Sequence, residues 1–126
     1  MAAANGGPAW AKALMRAGLV VALLLGLGDL TGWFPFSPTV LAVHIAAGVA
    51  VLVGIARLAA RAEAHAARRL WIALTLAVIG AGFGLALRIS GGPYDGLIHL
   101  ALMLVAVGLA EMRAGRPARS ESAQDA

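Results

Sequence analysis

The sequence predicts an all-α polytopic membrane protein, a four-helix transmembrane bundle with both termini in the cytoplasm. Its composition, its four apolar runs of spanning length and its one-sided distribution of basic residues each point that way. Of 126 residues, 61% are hydrophobic before the 16 Gly are counted, and 13% are charged. Soluble domains carry roughly 45–50% apolar residues with Gly included, and roughly 25% charged ones. A domain this small leaves much of its surface exposed, so a water-soluble fold has nowhere to hide that much apolar area. Disorder is excluded by the same excess, because it requires low hydrophobicity. Lipid is the solvent that fits.

The four runs lie at about 13–32, 39–58, 70–87 and 96–112, each near the roughly 20 residues of a spanning helix. The first is purest from Ala17 to Gly28. A signal peptide is the competing reading of that run, with Lys12 and Arg16 as its charged region, but Asp29-Leu30-Thr31-Gly32 makes a poor cleavage site. The second begins after Trp33-Phe34-Pro35-Phe36-Ser37-Pro38. The third carries no charge and only Thr75 as a polar side chain. It follows a basic connection from Ala59 to Arg69, which includes His65. The fourth follows Ser90-Gly91-Gly92-Pro93-Tyr94-Asp95. Short connections make successive helices antiparallel neighbours. The chain thus divides into an N-terminal cytoplasmic segment (1–12), a transmembrane domain (13–113) and a disordered, small and polar cytoplasmic tail (114–126).

The charges set the orientation. Lys12, Arg16, Arg57, Arg61, Arg68, Arg69, Arg113, Arg116 and Arg119 fall on one side of that layout, and only Arg88 on the other. The positive-inside rule places the nine in the cytoplasm; nine Arg to one Lys, with much Ala and Gly, suggests a bacterial genome, so the expected location is the inner (plasma) membrane, crossed several times. Trp10 and Trp71 mark the inner interface, and Trp33, Phe34, Phe36 and Tyr94 the outer one. The net charge of +4 is therefore a topology signal. Nucleic acid is not an expected partner, because that reading needs a basic face on a water-exposed domain.

Small residues recur at four-residue spacing: Gly18, Ala22 and Gly26; Ala46, Ala50 and Gly54; Gly80 and Gly84. Such stripes let helix backbones approach closely in lipid. Gly80-Ala81-Gly82-Phe83-Gly84 has the wrong spacing for a nucleotide loop and lies inside a span, so packing is its use.

Ionisable groups inside a membrane are costly and mark function by default. Asp29 and Glu111 lie within about a turn of a span end, and Arg16, Arg57 and Arg113 can snorkel inwards. Two groups remain, His44 and His99. The second and fourth spans run in the same direction, and both histidines lie roughly 6–8 Å below the outer edge at the helical rise per residue. Two imidazoles at matched depth on two parallel helices can face each other across the bundle, the arrangement for axial ligation of one haem iron from both sides. Ala47 and Gly48 follow on the face of His44 and leave room for a flat macrocycle. Met103 and Ala106 follow His99 as an apolar wall. Arg88 ends the third helix near the same level and can pair either with haem propionates or with Asp29 or Asp95. The bland reading of the histidines is a hydrogen bond across helices or to headgroup water. Two histidines without a third ligand make a poor Zn²⁺ site. The absence of Cys removes thiolate sites, iron–sulfur clusters and covalent haem attachment.

The second span reads His44-Ile45-Ala46-Ala47-Gly48 and then Arg57-Leu58. This resembles the cytochrome b561 family of bacterial membrane proteins over about one helix and, loosely, the four-span layout. The resemblance implies a four-helix bundle carrying b-type haem on histidine pairs and exchanging electrons with quinone or another carrier. It implies haem ligation by His44, with His99 as its partner. Two departures stand out: the first span has no histidine, and the fourth ends on Glu111, so at most one haem near the outer side is accommodated.

The expected function is an electron carrier or subunit with one bis-histidine b-type haem, rather than a stand-alone enzyme. Its cofactor-binding residues are His44, His99, Gly48, Met103 and Arg88. Its partners are the lipid bilayer, a quinone or redox protein, and a second copy or a larger membrane complex. The alternative is a cofactor-free small scaffold or assembly subunit, supported by the small-residue stripes. A proton-coupled transporter lacks a carboxylate near the midplane. Hydrolytic chemistry lacks parts, since Ser37, Ser90, Ser120 and Ser122 all lie in loops or the tail.

Overall fold

A computed structural model describes residues 8–92 and 94–112 and contains four helices. Arg113, Arg116, Arg119 and the expected tail 114–126 lie outside the described residues, as do residues 1–7 of the expected N-terminal segment.

Helix α1 (Ala9–Leu30) ends where the Thr31 hydroxyl donates to the Leu27 carbonyl and Gly32 turns the chain at φ 76°. Helix α2 (Pro38–Ala60) starts at a built N-terminus: the Ser37 hydroxyl accepts from the Val40 N–H at 3.2 Å, and Pro38 takes the first helical position, where no N–H is needed. Helix α3 (Ala64–Ser90) stops at Gly91, whose φ of 64° is the left-handed cap that Gly adopts without cost. Helix α4 (Asp95–Glu111) opens with an acidic residue at its positive end.

The expected connection from Ala59 to Arg69 is mostly helix. Only Arg61–Glu63 link α2 to α3, and His65, Arg68 and Arg69 ride on the first turns of α3. Ala and Arg are among the strongest helix formers, so this stretch extends α3 instead of breaking from it. Helices α1, α2 and α3 are long and apolar enough to cross a membrane; α4 is shorter, at 17 residues.

Two antiparallel hairpins, α1–α2 and α3–α4, make up the bundle. They meet mainly through α2 and α3, while α1 and α4 touch only lightly. Within the first hairpin the backbones nearly meet: a Cβ on Gly18 would lie 2.6 Å from the Ala47 carbonyl oxygen, and one on Gly54 2.8 Å from that of Ala11. The stripe read as Ala46, Ala50 and Gly54 is shifted by one position at its start. Ala47 is buried and Ala46 is exposed, because the Gly18 contact falls on Ala47.

Burial is lopsided along the bundle axis. The largest fully buried side chains are Met15, Val51, Ile55 and Leu70, and the core cluster runs from the α2–α3 turn to the middle of the bundle, with Ala47 buried beyond it against Gly18. Large apolar side chains such as Val20, Leu24, Val78 and Val105 are exposed, and among the described residues no polar or charged residue is buried. An apolar exterior is the pattern that lipid, not water, requires. The half with the buried core is called the basic end below, and the half with the α1–α2 and α3–α4 loops the far end.

Candidate functional site

What replaces a packed core at the far end is a cavity of about 350 Å³ reached by all four helices. That volume falls in the range of roughly 300–1,000 Å³ usual for small-molecule sites. Its walls are apolar apart from His44, His99, Asp29 and Arg88.

The two histidines meet there. Their ring centroids stand 6.1 Å apart with the planes inclined at 55°. Each ring is seated on a glycine of the other helix in its own hairpin. A Cβ on Gly26 in α1 would lie 3.2 Å from Cε1 of His44, and one on Gly84 in α3 would lie 2.9 Å from Nδ1 of His99. The hairpins thus present their histidines in the same way, an imidazole from the second helix backed by a glycine of the first.

The rings differ in their hydrogen bonding. Nδ1 of His99 lies 2.6 Å from the Gly80 carbonyl oxygen. A carbonyl only accepts, so Nδ1 carries a proton, and a neutral ring so held would have its Nε2 lone pair free to ligate. A backbone carbonyl fixing one ring nitrogen is the usual support for a metal-ligating histidine. His44 has no such bond: its Nδ1 is buried without a partner. Leaving a buried polar nitrogen unpaired costs about 1–3 kcal/mol, a cost associated with strained, redox or catalytic sites. Its ring is held from the side by Phe36, at 5.1 Å between centroids. Both histidines line the cavity.

Gly48 and Arg88 line the cavity with the histidines. A Cβ on Gly48 would meet nothing within 4 Å, so the helix leaves open space on that face of His44. Met103 sits elsewhere, buried in the core of the basic end with its sulfur against Gly80, and Ala106 is in the same core. Arg88 pairs with Asp29 at 3.5 Å and lies over the Phe36 ring at 4.5 Å. Asp95 faces the Ser90 hydroxyl instead, at 3.3 Å. At the opposite end of the bundle Glu111 accepts two 2.7 Å bonds from Arg16.

Sequence reading treated Gly26, Gly80 and Gly84 as packing residues only. Packing is part of their role, but they also seat and orient the two imidazoles. Phe36, read as an interfacial aromatic, contacts His44 and Arg88. A glycine that backs a ring on another helix leaves no periodic signal of its own.

The glycine seat makes a testable contrast on a single helix. Gly84→Val is expected to push the His99 ring off the Gly80 carbonyl and to cost about 1–3 kcal/mol, as overpacking does. Gly82→Val meets open space and should stay within about 0.5 kcal/mol. Thermal unfolding of both variants in one detergent checks this.

Among the described residues no group of three or more His, Cys, Asp or Glu is placed to hold a metal ion, so the site offers two imidazoles and no all-protein cage. No family model, curated protein or solved structure matches the chain.

Proposed function

We propose that this chain is a four-span protein of a bacterial inner membrane, with both termini and the α2–α3 turn in the cytoplasm, that binds one b-type haem between His44 and His99 near the outer face and serves as an electron-transfer subunit. The observation that carries this reading is the pair of imidazoles facing each other across one cavity with ring centroids 6.1 Å apart. If haem were bound here, His44 and His99 would be the residues that hold its iron. The His99 ring held through Nδ1, the space beside Gly48 and the apolar walls fit a flat, largely apolar group.

Haem, when bound, supplies one-electron redox chemistry. The protein's own contribution is positional and electrostatic. Gly80 and Gly84 orient His99, while Gly26 and Phe36 hold His44. The apolar walls keep water out, and Arg88 at the rim offers the positive charge for carboxylates. The fourth span is assigned to α4, whose 17 residues cover about 26 Å at the helical rise and which packs closely on α3. The one-sided basic residues and the likeness of the second span to cytochrome b561 proteins support the same reading. One haem near one face does not reach across the bilayer, so transmembrane transfer calls for a quinone, a redox protein or a second copy.

Protein purified from haem-replete cells tests the proposal through its reduced-minus-oxidised visible spectrum. Sharp bands in the unmodified protein, absent from a His44→Ala, His99→Ala double variant, are expected. A protein without such bands would overturn the haem reading in favour of the cofactor-free scaffold or assembly subunit.

A further inference from the structure

The two hairpins are joined differently at the two ends of the bundle. At the basic end Arg16 of α1 and Glu111 of α4 form a two-pronged ion pair, with both bonds at 2.7 Å. The buried core cluster also lies between that end and the middle of the bundle. At the far end no such core exists. The polar link between hairpins there is the looser pair of Asp29 with Arg88, at 3.5 Å. Arg88 of α3 also lies over the ring of Phe36 in the α1–α2 loop, and the Phe36 N–H donates to Oδ1 of Asp29 at 2.9 Å. Asp29, Phe36 and Arg88 thereby close a small circuit on the rim of the cavity, directly against His44.

We propose that this circuit is a latch: Asp29 holds Arg88, and with it Phe36, across the far-end mouth of the cavity, and releasing Arg88 lets the hairpins part at that end while the basic end stays shut. Asp29 then acts as a resident carboxylate, and a ligand bearing its own carboxylate near Arg88 would take its place. Parting the far end leaves the core cluster covered, whereas parting the basic end would break it. The opening is thus directed by where the burial lies. The latch deepens the haem reading by naming what controls access to that site, but it depends only on the cavity, so it is tested on ligand-free protein.

The absence of Cys makes the test direct. Gly48→Cys places a single thiol in the open space of the cavity wall, and Gly108→Cys places one on α4 where a Cβ also meets nothing within 4 Å. The rate of modification by a charged, water-soluble methanethiosulfonate is measured on each, in lipid nanodiscs without haem. Asp29→Asn removes the charge that holds Arg88 but keeps an oxygen for the Phe36 N–H. It should raise the rate at Cys-substituted position 48 about three- to fivefold, the upper end of the scale of a lost partly exposed ion pair. Arg88→Gln should do the same, and the double variant should add nothing further, because both break one link. Asp29→Glu should remain slow. Rates within about twofold in all backgrounds, additive effects, or an equal rise at position 108 would overturn the latch. Haem binding enters none of these readings, so failure of the latch and failure of the haem site are separate results.

Discussion

Alanine at His99 is expected to leave a folded bundle that has lost tight, six-coordinate haem binding. The side chain contributes little to the fold: it is partly buried, and its Nδ1 bond is to the Gly80 carbonyl within its own hairpin. Losing it should cost no more than about 1 kcal/mol of stability, the net worth of one hydrogen bond. The ligand role is another matter. Orienting groups alone are worth 10–100-fold in affinity, so removing the ligand itself should cost more than about 100-fold. Added imidazole should restore part of the low-spin spectrum by occupying the vacated side. A His99→Ala variant that binds haem as tightly as the parent, in the same spin state, would remove His99 from the site.

Gly48→Leu should separate folding from binding in the opposite sense. A Cβ at this position meets nothing within 4 Å, so the larger side chain grows into the cavity without displacing a neighbour. Leu is also the better helix former, by somewhat less than the roughly 0.8–1 kcal/mol that separates Gly from Ala. The variant should therefore melt at or above the parent temperature while haem occupancy falls at least about tenfold, because the filled volume lies beside His44. Thermal unfolding and the haem-to-protein ratio, taken on the same preparation, check both halves. Lower stability together with normal occupancy would mean that Gly48 packs against protein and borders no binding space.

Much of the architecture is legible in the sequence because lipid leaves few options. Apolar runs, short connections and the Ser37-Pro38 start of α2 suffice to read four helices in antiparallel order. The limits of α3 are less legible. Arg68 and Arg69 look like the content of a loop when charge is used to find membrane edges, yet Arg and Ala continue a helix readily, and α3 begins at Ala64. The pairing of His44 with His99 follows from their matched depth on parallel helices, a one-dimensional fact that geometry turns into a 6.1 Å contact. Which residues surround them is not a one-dimensional fact. Met103 stands on the face of His99 by spacing, but the hairpin turns it towards Gly80 and into the core. Gly84 has no charge or aromatic ring to draw the eye, and its role appears only when a neighbouring helix lays an imidazole against it. Arg88 could be read towards a ligand or towards Asp29, and the structure has it on Asp29.

The central claim is that His44 and His99 together hold one haem. Titration of ferric haem into the purified, haem-free protein, beside the His44→Ala, His99→Ala double variant, tests it most directly. The account predicts saturation of the unmodified protein at one equivalent per chain with the spectrum of a low-spin, two-histidine centre, and no such species in the double variant. Failure of the unmodified protein to form that species, or its equal formation in both proteins, would contradict the account.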